Sequence, residues 1–105
     1  MDIKQYEVRI PAKSQLITLV QVVERTGVHP SRLGELIELS WIEPQRTSGD
    51  EYLFRLSDVY RIRKFLRLCD DFGLSDLAGT IIVDLLDRIE DLQRKVHELE
   101  QIKGV

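Results

Sequence analysis

The stretch GVHPSRLGELIELSWIEP, residues 27–44, constrains this chain more than any other. Thr26-Gly27 stops one helix, because glycine enters the left-handed conformation without a Cβ clash. Pro30 suits the first turn of the next helix, where its missing N–H costs nothing. That second helix turns Leu33, Leu36, Ile37 and Leu39 inward. Ser40-Trp41-Ile42-Glu43-Pro44 then reads as an exit turn with an apolar anchor, since the residue before a proline resists helix. Upstream, Thr18 caps a first helix that directs Leu19, Val22 and Val23 inward. Two short helices joined this tightly predict a helix-turn-helix, a scaffold whose second helix commonly enters a DNA groove. Yet that helix reads Gly34-Glu35-Leu36-Ile37-Glu38, acidic where a phosphate-facing surface calls for arginine.

The flanks complete the scaffold. Tyr6, Val8 and Ile10 alternate with Glu7 and Arg9, the period of a half-buried strand, and Pro11 stops it. Thr47-Ser48-Gly49-Asp50 is a turn signal beside the strand residues Tyr52, Leu53 and Phe54, so a short hairpin, or wing, follows the two helices. Ser57 is placed to cap a third helix, with Asp58 in its first turn. The apolar face of that helix is Val59, Ile62, Phe65, Leu66 and Cys69; Arg61, Arg63, Lys64 and Arg67 lie outside as a solvated face. Phe72-Gly73 ends it and Ser75-Asp76 starts the last helix.

From Ile82 the spacing becomes heptad-like. Ile82, Ile89 and Val96 fall at a; Leu85, Leu92 and Leu99 fall at d. Branched residues at a with leucine at d favour a two-stranded parallel coil, in which Lys95 at g meets Glu100 at e of a second copy. The other reading is an amphipathic helix folded back on its own core; the regular a/d choice favours a homodimer. Gly79 inside this helix costs roughly 1 kcal/mol relative to alanine, which a close helix crossing or a kink would explain. The expected organisation is a mainly α chain: a winged helix-turn-helix over residues 1–74 and a C-terminal dimerisation or interaction helix over 75–105.

Composition narrows the function. The 105 residues suit one compact domain with an extension. No run of about twenty apolar residues occurs, so no membrane span is expected. The first residues lack the apolar core of a signal peptide, and the single cysteine, Cys69, cannot form an internal disulfide; both point to the cytoplasm. A net charge of −3 and a pI near 5.4 do not help a small DNA binder.

The order helix, Thr-Gly turn, helix, Trp-Ile-Glu-Pro exit, wing, basic helix, Gly-Leu-Ser turn and long helix resembles the MerR-type winged helix-turn-helix family. Thr26-Gly27-Val28, Leu33, Trp41-Ile42, Pro44, Asp58-Val59 and Phe72-Gly73-Leu74-Ser75 carry the likeness. A DNA-binding member usually has an Arg-Tyr-Tyr or Arg-Tyr-Trp run where this chain has Gly34-Glu35-Leu36. It has Gly-Tyr-Arg in the wing where Asp50-Glu51-Tyr52 stands. With Tyr52-Leu53-Phe54, the Arg61–Leu68 helix, Asp70-Asp71 and Leu85–Leu92, the pattern is similar to the CbpM-type chaperone modulators. That resemblance implies a non-enzymatic adaptor, without cofactor, that restrains a CbpA/DnaJ-like co-chaperone by binding its J domain.

Physical weighing leans against DNA, while the acidic face gains meaning only from the resemblance. Glu35 and Glu38 would meet backbone phosphates if the second helix lay in a groove, so DNA binding is doubtful; a MerR-like regulator with diverged DNA contacts is the alternative. J domains, as a family, present a basic helix to the chaperone they recruit. Against such a helix this chain offers Asp70, Asp71, Asp84, Asp87, Glu90 and Asp91 as an acidic face, with Tyr52 and Phe54 of the wing as aromatic contacts. Both aromatics fall on one face of their strand, so packing on the core is the competing role. Charged outer positions also serve solubility in any coil. Catalysis and metal binding have little support. His29 and His97 stand apart without a ligand cluster, Cys69 lies on an apolar face, and no phosphate loop or nucleophile elbow is present.

Overall fold

The computed structural model describes residues 16–103, so the strand expected over Tyr6–Ile10 lies outside the described residues. The elements run β1 (Ile17–Thr18), α1 (Leu19–Thr26), α2 (Pro30–Glu38), β2 (Gln45–Arg46), β3 (Tyr52–Phe54), α3 (Leu56–Phe72) and α4 (Asp76–Lys103). This is the mainly helical winged helix-turn-helix with a long C-terminal helix. Its chain forms two compact units, one up to Arg63 and one from Lys64 onward. The division falls inside α3.

Local chemistry fixes the ends of α1 and α2. The Thr18 hydroxyl accepts the Gln21 N–H at 3.2 Å, and the Gln21 side chain accepts the Thr18 N–H at 2.9 Å. This reciprocal capping box satisfies two of the donors that a helix start leaves open. Gly27, at φ 80°, ends α1 and donates to the Val23 carbonyl at 2.8 Å. α2 starts differently: His29 is its N-cap, and Nδ1 accepts the Ser31 N–H at 3.1 Å, with Pro30 in the first turn. The exit turn closes when the Leu36 carbonyl accepts the N–H groups of both Trp41 and Ile42. Leu39 is 52% exposed because it sits at the C-cap, where the chain has left the inward face.

The wing is a hairpin in which Gln45 pairs with Leu53 and Arg46 with Tyr52. The Thr47 hydroxyl accepts the N–H groups of Gly49 and Glu51, which shapes its loop. β1 pairs with the other edge of β3 to give the antiparallel order β1-β3-β2. Val22, Val28, Leu33, Leu36, Ile42, Phe54, Val59 and Ile62 form the core of this first unit, with Trp41 buried beside them.

The start of α3 departs from expectation. Asp58 is buried and its carboxylate accepts the Arg55 N–H at 3.0 Å, so Asp58 reaching back, not Ser57, fastens this helix. At its other end Gly73 adopts φ 63° and the Leu74 N–H reaches the Cys69 carbonyl at 3.1 Å, a left-handed helix stop. Ser75 then caps α4 by accepting the Ala78 N–H at 3.2 Å.

In the second unit Phe65, Cys69, Thr80 and Val83 are buried. Gly79 explains itself here: a Cβ on it would stand 2.5 Å from Cys69 Sγ and 2.9 Å from the Phe65 ring. The close crossing of α3 and α4 therefore requires a residue without a side chain, and the helix-propensity cost of glycine is offset by packing.

Candidate functional site

α2 buries Leu33 and Leu36 completely, and its period carries Ser31, Gly34, Glu35 and Glu38 to the opposite side. Glu35 and Glu38 are exposed, and neither has an ion-pair partner among the described residues. A Cβ on Gly34 would meet no atom within 4 Å, so packing among the described residues does not require glycine at this position. The helix that would read a DNA groove thus offers two carboxylates and a stretch of bare backbone.

Three arginines of the wing and of α3 are engaged. Arg61 donates to the Trp41 carbonyl and lays its guanidinium 4.1 Å from the Trp41 ring centre. Arg63 donates to the Arg25 carbonyl at 3.0 Å. In the wing, Arg46 pairs with Asp50 at 2.6 Å and stands 5.6 Å from the Tyr52 ring. The third-helix cations expected on a solvated face therefore include a structural one. Arg61 locks the exit turn by spanning twenty residues of sequence, a link that no local periodicity signals.

The wing aromatics separate. Phe54 is fully buried, which removes it from the partner-contact residues: with its ring in the core it has no surface to offer. Tyr52 meets Phe54 edge-on at 6.3 Å between ring centres but stays half-buried. With Thr18, Leu19, Val20 and Glu51 it lines a shallow, largely apolar cleft of about 370 Å³.

The acidic residues of the second unit are also sorted. Lys64 bonds Asp87 at 2.9 Å and lies 3.6 Å from Glu90, and Arg94 pairs with Asp91. The hydrogen bond to Asp87 raises the Lys64 ammonium above its ordinary pKa; burial opposes this, and the charges of Asp87 and Glu90 add to it. Asp87, Glu90 and Asp91 are therefore partly neutralised within the chain. Asp84 is exposed, as are Asp70 and Asp71 in the last turn of α3, where no basic residue balances them against the helix dipole.

The other face of α4 is apolar and uncovered. Leu85, Ile89, Leu92, Val96 and Leu99 are each about half-exposed, at 54, 48, 52, 52 and 61%. Ile82 departs from this seam: it is half-buried, one position from the buried Val83. Ile81, 51% exposed, continues the uncovered stripe in its place.

Among the described residues no group of three or more His, Cys, Asp or Glu side chains could hold a metal ion. No helix among them is long and apolar enough to cross a membrane.

Comparison with known proteins agrees with this architecture. The family model described as MerR HTH family regulatory protein matches residues 17–101, which takes in both helices of the turn, the wing and nearly all of α4. A protein of Streptomyces coelicolor (strain ATCC BAA-471 / A3(2) / M145) that carries the name heat shock protein HspR is 27% identical over 74 residues. That match covers 70% of this chain but 49% of the relative, so the chain spans about half the length of the protein it matches. With the scaffold, the capping pattern and the family match in agreement, this chain belongs to the MerR helix-turn-helix family of regulatory proteins.

Proposed function

We propose that this chain is a CbpM-type chaperone modulator, a non-enzymatic adaptor that binds the J domain of a CbpA/DnaJ-like co-chaperone and restrains it. One observation carries the reading: the groove-reading helix presents Gly34, Glu35 and Glu38, while Arg46, Arg61 and Arg63 each make a contact within the chain. Phosphate contacts supply most of the affinity of small DNA-binding domains, and like charge at the centre of the contact opposes it. The name of the Streptomyces coelicolor relative, a heat shock protein, supports a place near the chaperone system. The uncovered a/d stripe of α4 supports a homodimer, because one copy leaves Leu85, Ile89, Leu92, Val96 and Leu99 in water.

The second reading, a transcriptional regulator that binds DNA as a dimer, is favoured by the intact scaffold and by the regulatory family. Calorimetric titration of the full chain with the isolated J domain of a CbpA-like protein separates the two. Saturable binding that weakens with salt is the expected result. No heat at high micromolar concentration, together with selection of a discrete duplex from a random DNA pool, would establish the regulator instead.

A further inference from the structure

We infer that the outward face of α2, Ser31, Gly34, Glu35 and Glu38, is the surface on which a cationic helix of the protein partner docks. The inference rests on the adaptor reading and goes beyond it by naming the contact surface and the chemistry it takes. Two features together mark this surface, carboxylates that hold no cation among the described residues and Gly34 beside them; Asp70 and Asp71, also exposed, have no glycine within their helix. On α4, Asp87 and Glu90 share Lys64, and Asp91 holds Arg94. A partner's lysine or arginine would have to displace an internal cation there, and the exchange would yield little. Glu35 and Glu38, one turn apart on α2, are exposed and hold no cation among the described residues. A lysine or arginine brought to them forms a new pair with nothing broken, and complementarity of this kind sets encounter rate and partner choice.

Gly34 is the second, independent indication. Glycine in mid-helix costs roughly 1 kcal/mol against alanine. At Gly79 a neighbouring helix accounts for that cost; at Gly34 nothing among the described residues does, since a Cβ would meet no atom within 4 Å. A bare backbone beside two carboxylates lets a facing helix approach more closely than any side chain would permit. Leu39, 52% exposed at the C-cap, adds an apolar edge to the same end of α2. The occupant that fits is a protein helix with lysine or arginine at successive turns, packed against Gly34 and paired to Glu35 and Glu38. Duplex DNA, the other ligand of such a scaffold, is repelled by those charges.

The test is calorimetry of the full chain against the J domain, with three variants whose helical content is checked by circular dichroism. Glu35→Lys combined with Glu38→Lys is expected to weaken binding about tenfold or more and to reduce its salt dependence. Gly34→Leu is expected to leave thermal stability at or above that of the parent while weakening binding, a combination that a purely structural role would not give. Asp91→Lys combined with Glu98→Lys, on α4, is expected to leave affinity within about threefold. If the parent binds and both α2 variants bind equally well, the docking surface is elsewhere and this inference is overturned while the adaptor reading stands. Loss of binding only in the α4 variant overturns it in favour of α4. A parent chain that does not bind the J domain overturns both.

Discussion

α2 and α4 are both amphipathic, but they leave opposite chemistry in water. α2 buries Leu33 and Leu36 and exposes carboxylates with the side-chain-free Gly34 beside them. α4 packs Gly79, Thr80 and Val83 inward and exposes a stripe of leucine, isoleucine and valine over most of its length. An acidic face without its own cations suits a basic partner that comes and goes with ionic conditions. An apolar seam at heptad spacing suits an association that removes it from water. The partners proposed for these two surfaces thus differ in kind, and the contrast can be broken one surface at a time.

The largest effects should come from residues that serve neither surface. Phe54→Ala empties a fully buried site under the wing and should cost about 3–5 kcal/mol, measured by urea unfolding. Next, Gly79→Val drives a side chain into Cys69 and Phe65 and should cost about 1–3 kcal/mol in the same assay. Equal stability of that variant would mean that the α3–α4 crossing is not as close as described. Leu92→Asp sharpens the comparison directly. Leu92 is 52% exposed, so a single copy should lose little, while sedimentation should shift from dimer to monomer. An unchanged sedimentation coefficient would remove the seam from self-association and leave it for another occupant.

Smaller effects probe the cations. Arg61→Ala removes the hydrogen bond to the Trp41 carbonyl and the stacking on its ring, and about 1–2 kcal/mol of stability should go with them. Lys64 has its pKa raised by Asp87, so the stability this pair contributes is present below the lysine's ordinary value of 10.5 and is lost as pH rises through the higher folded value. Asp87→Asn should bring the Lys64 titration, followed by NMR of its side-chain carbon next to nitrogen, back toward 10.5. No change would mean that the pair does not persist in solution.

Much of the fold was legible because it is written in local chemistry. Thr18, Gly27, Pro30, Gly73 and Ser75 act within a few residues of where they stand, and helical period alone assigned Leu33, Leu36, Val59, Ile62 and Phe65 to the interior. What escaped was short or distant. β1 has two residues, too few for an alternating pattern to register. Ser57 matches the usual hydroxyl cap for the start of α3, but the buried Asp58 carboxylate takes that task. Arg61 on Trp41 and Lys64 on Asp87 join residues twenty or more apart, so the sequence left both as solvated charges. The candidate surface was half legible. That Glu35 and Glu38 face outward follows from the helix, but that they hold no cation among the described residues while Asp87, Glu90 and Asp91 of α4 are engaged is a property of the folded chain.

The most direct test of the proposal that this scaffold has exchanged DNA for a protein partner is NMR mapping. The backbone amides of the isotopically labelled full chain are followed as the unlabelled J domain, and separately a random duplex, is added. Perturbations centred on Ser31, Gly34, Glu35 and Glu38 with the J domain, and none at those positions with DNA, are the predicted result. Shifts in α2 and the wing with DNA, and silence with the J domain, would contradict it and return this chain to the DNA-reading members of its family.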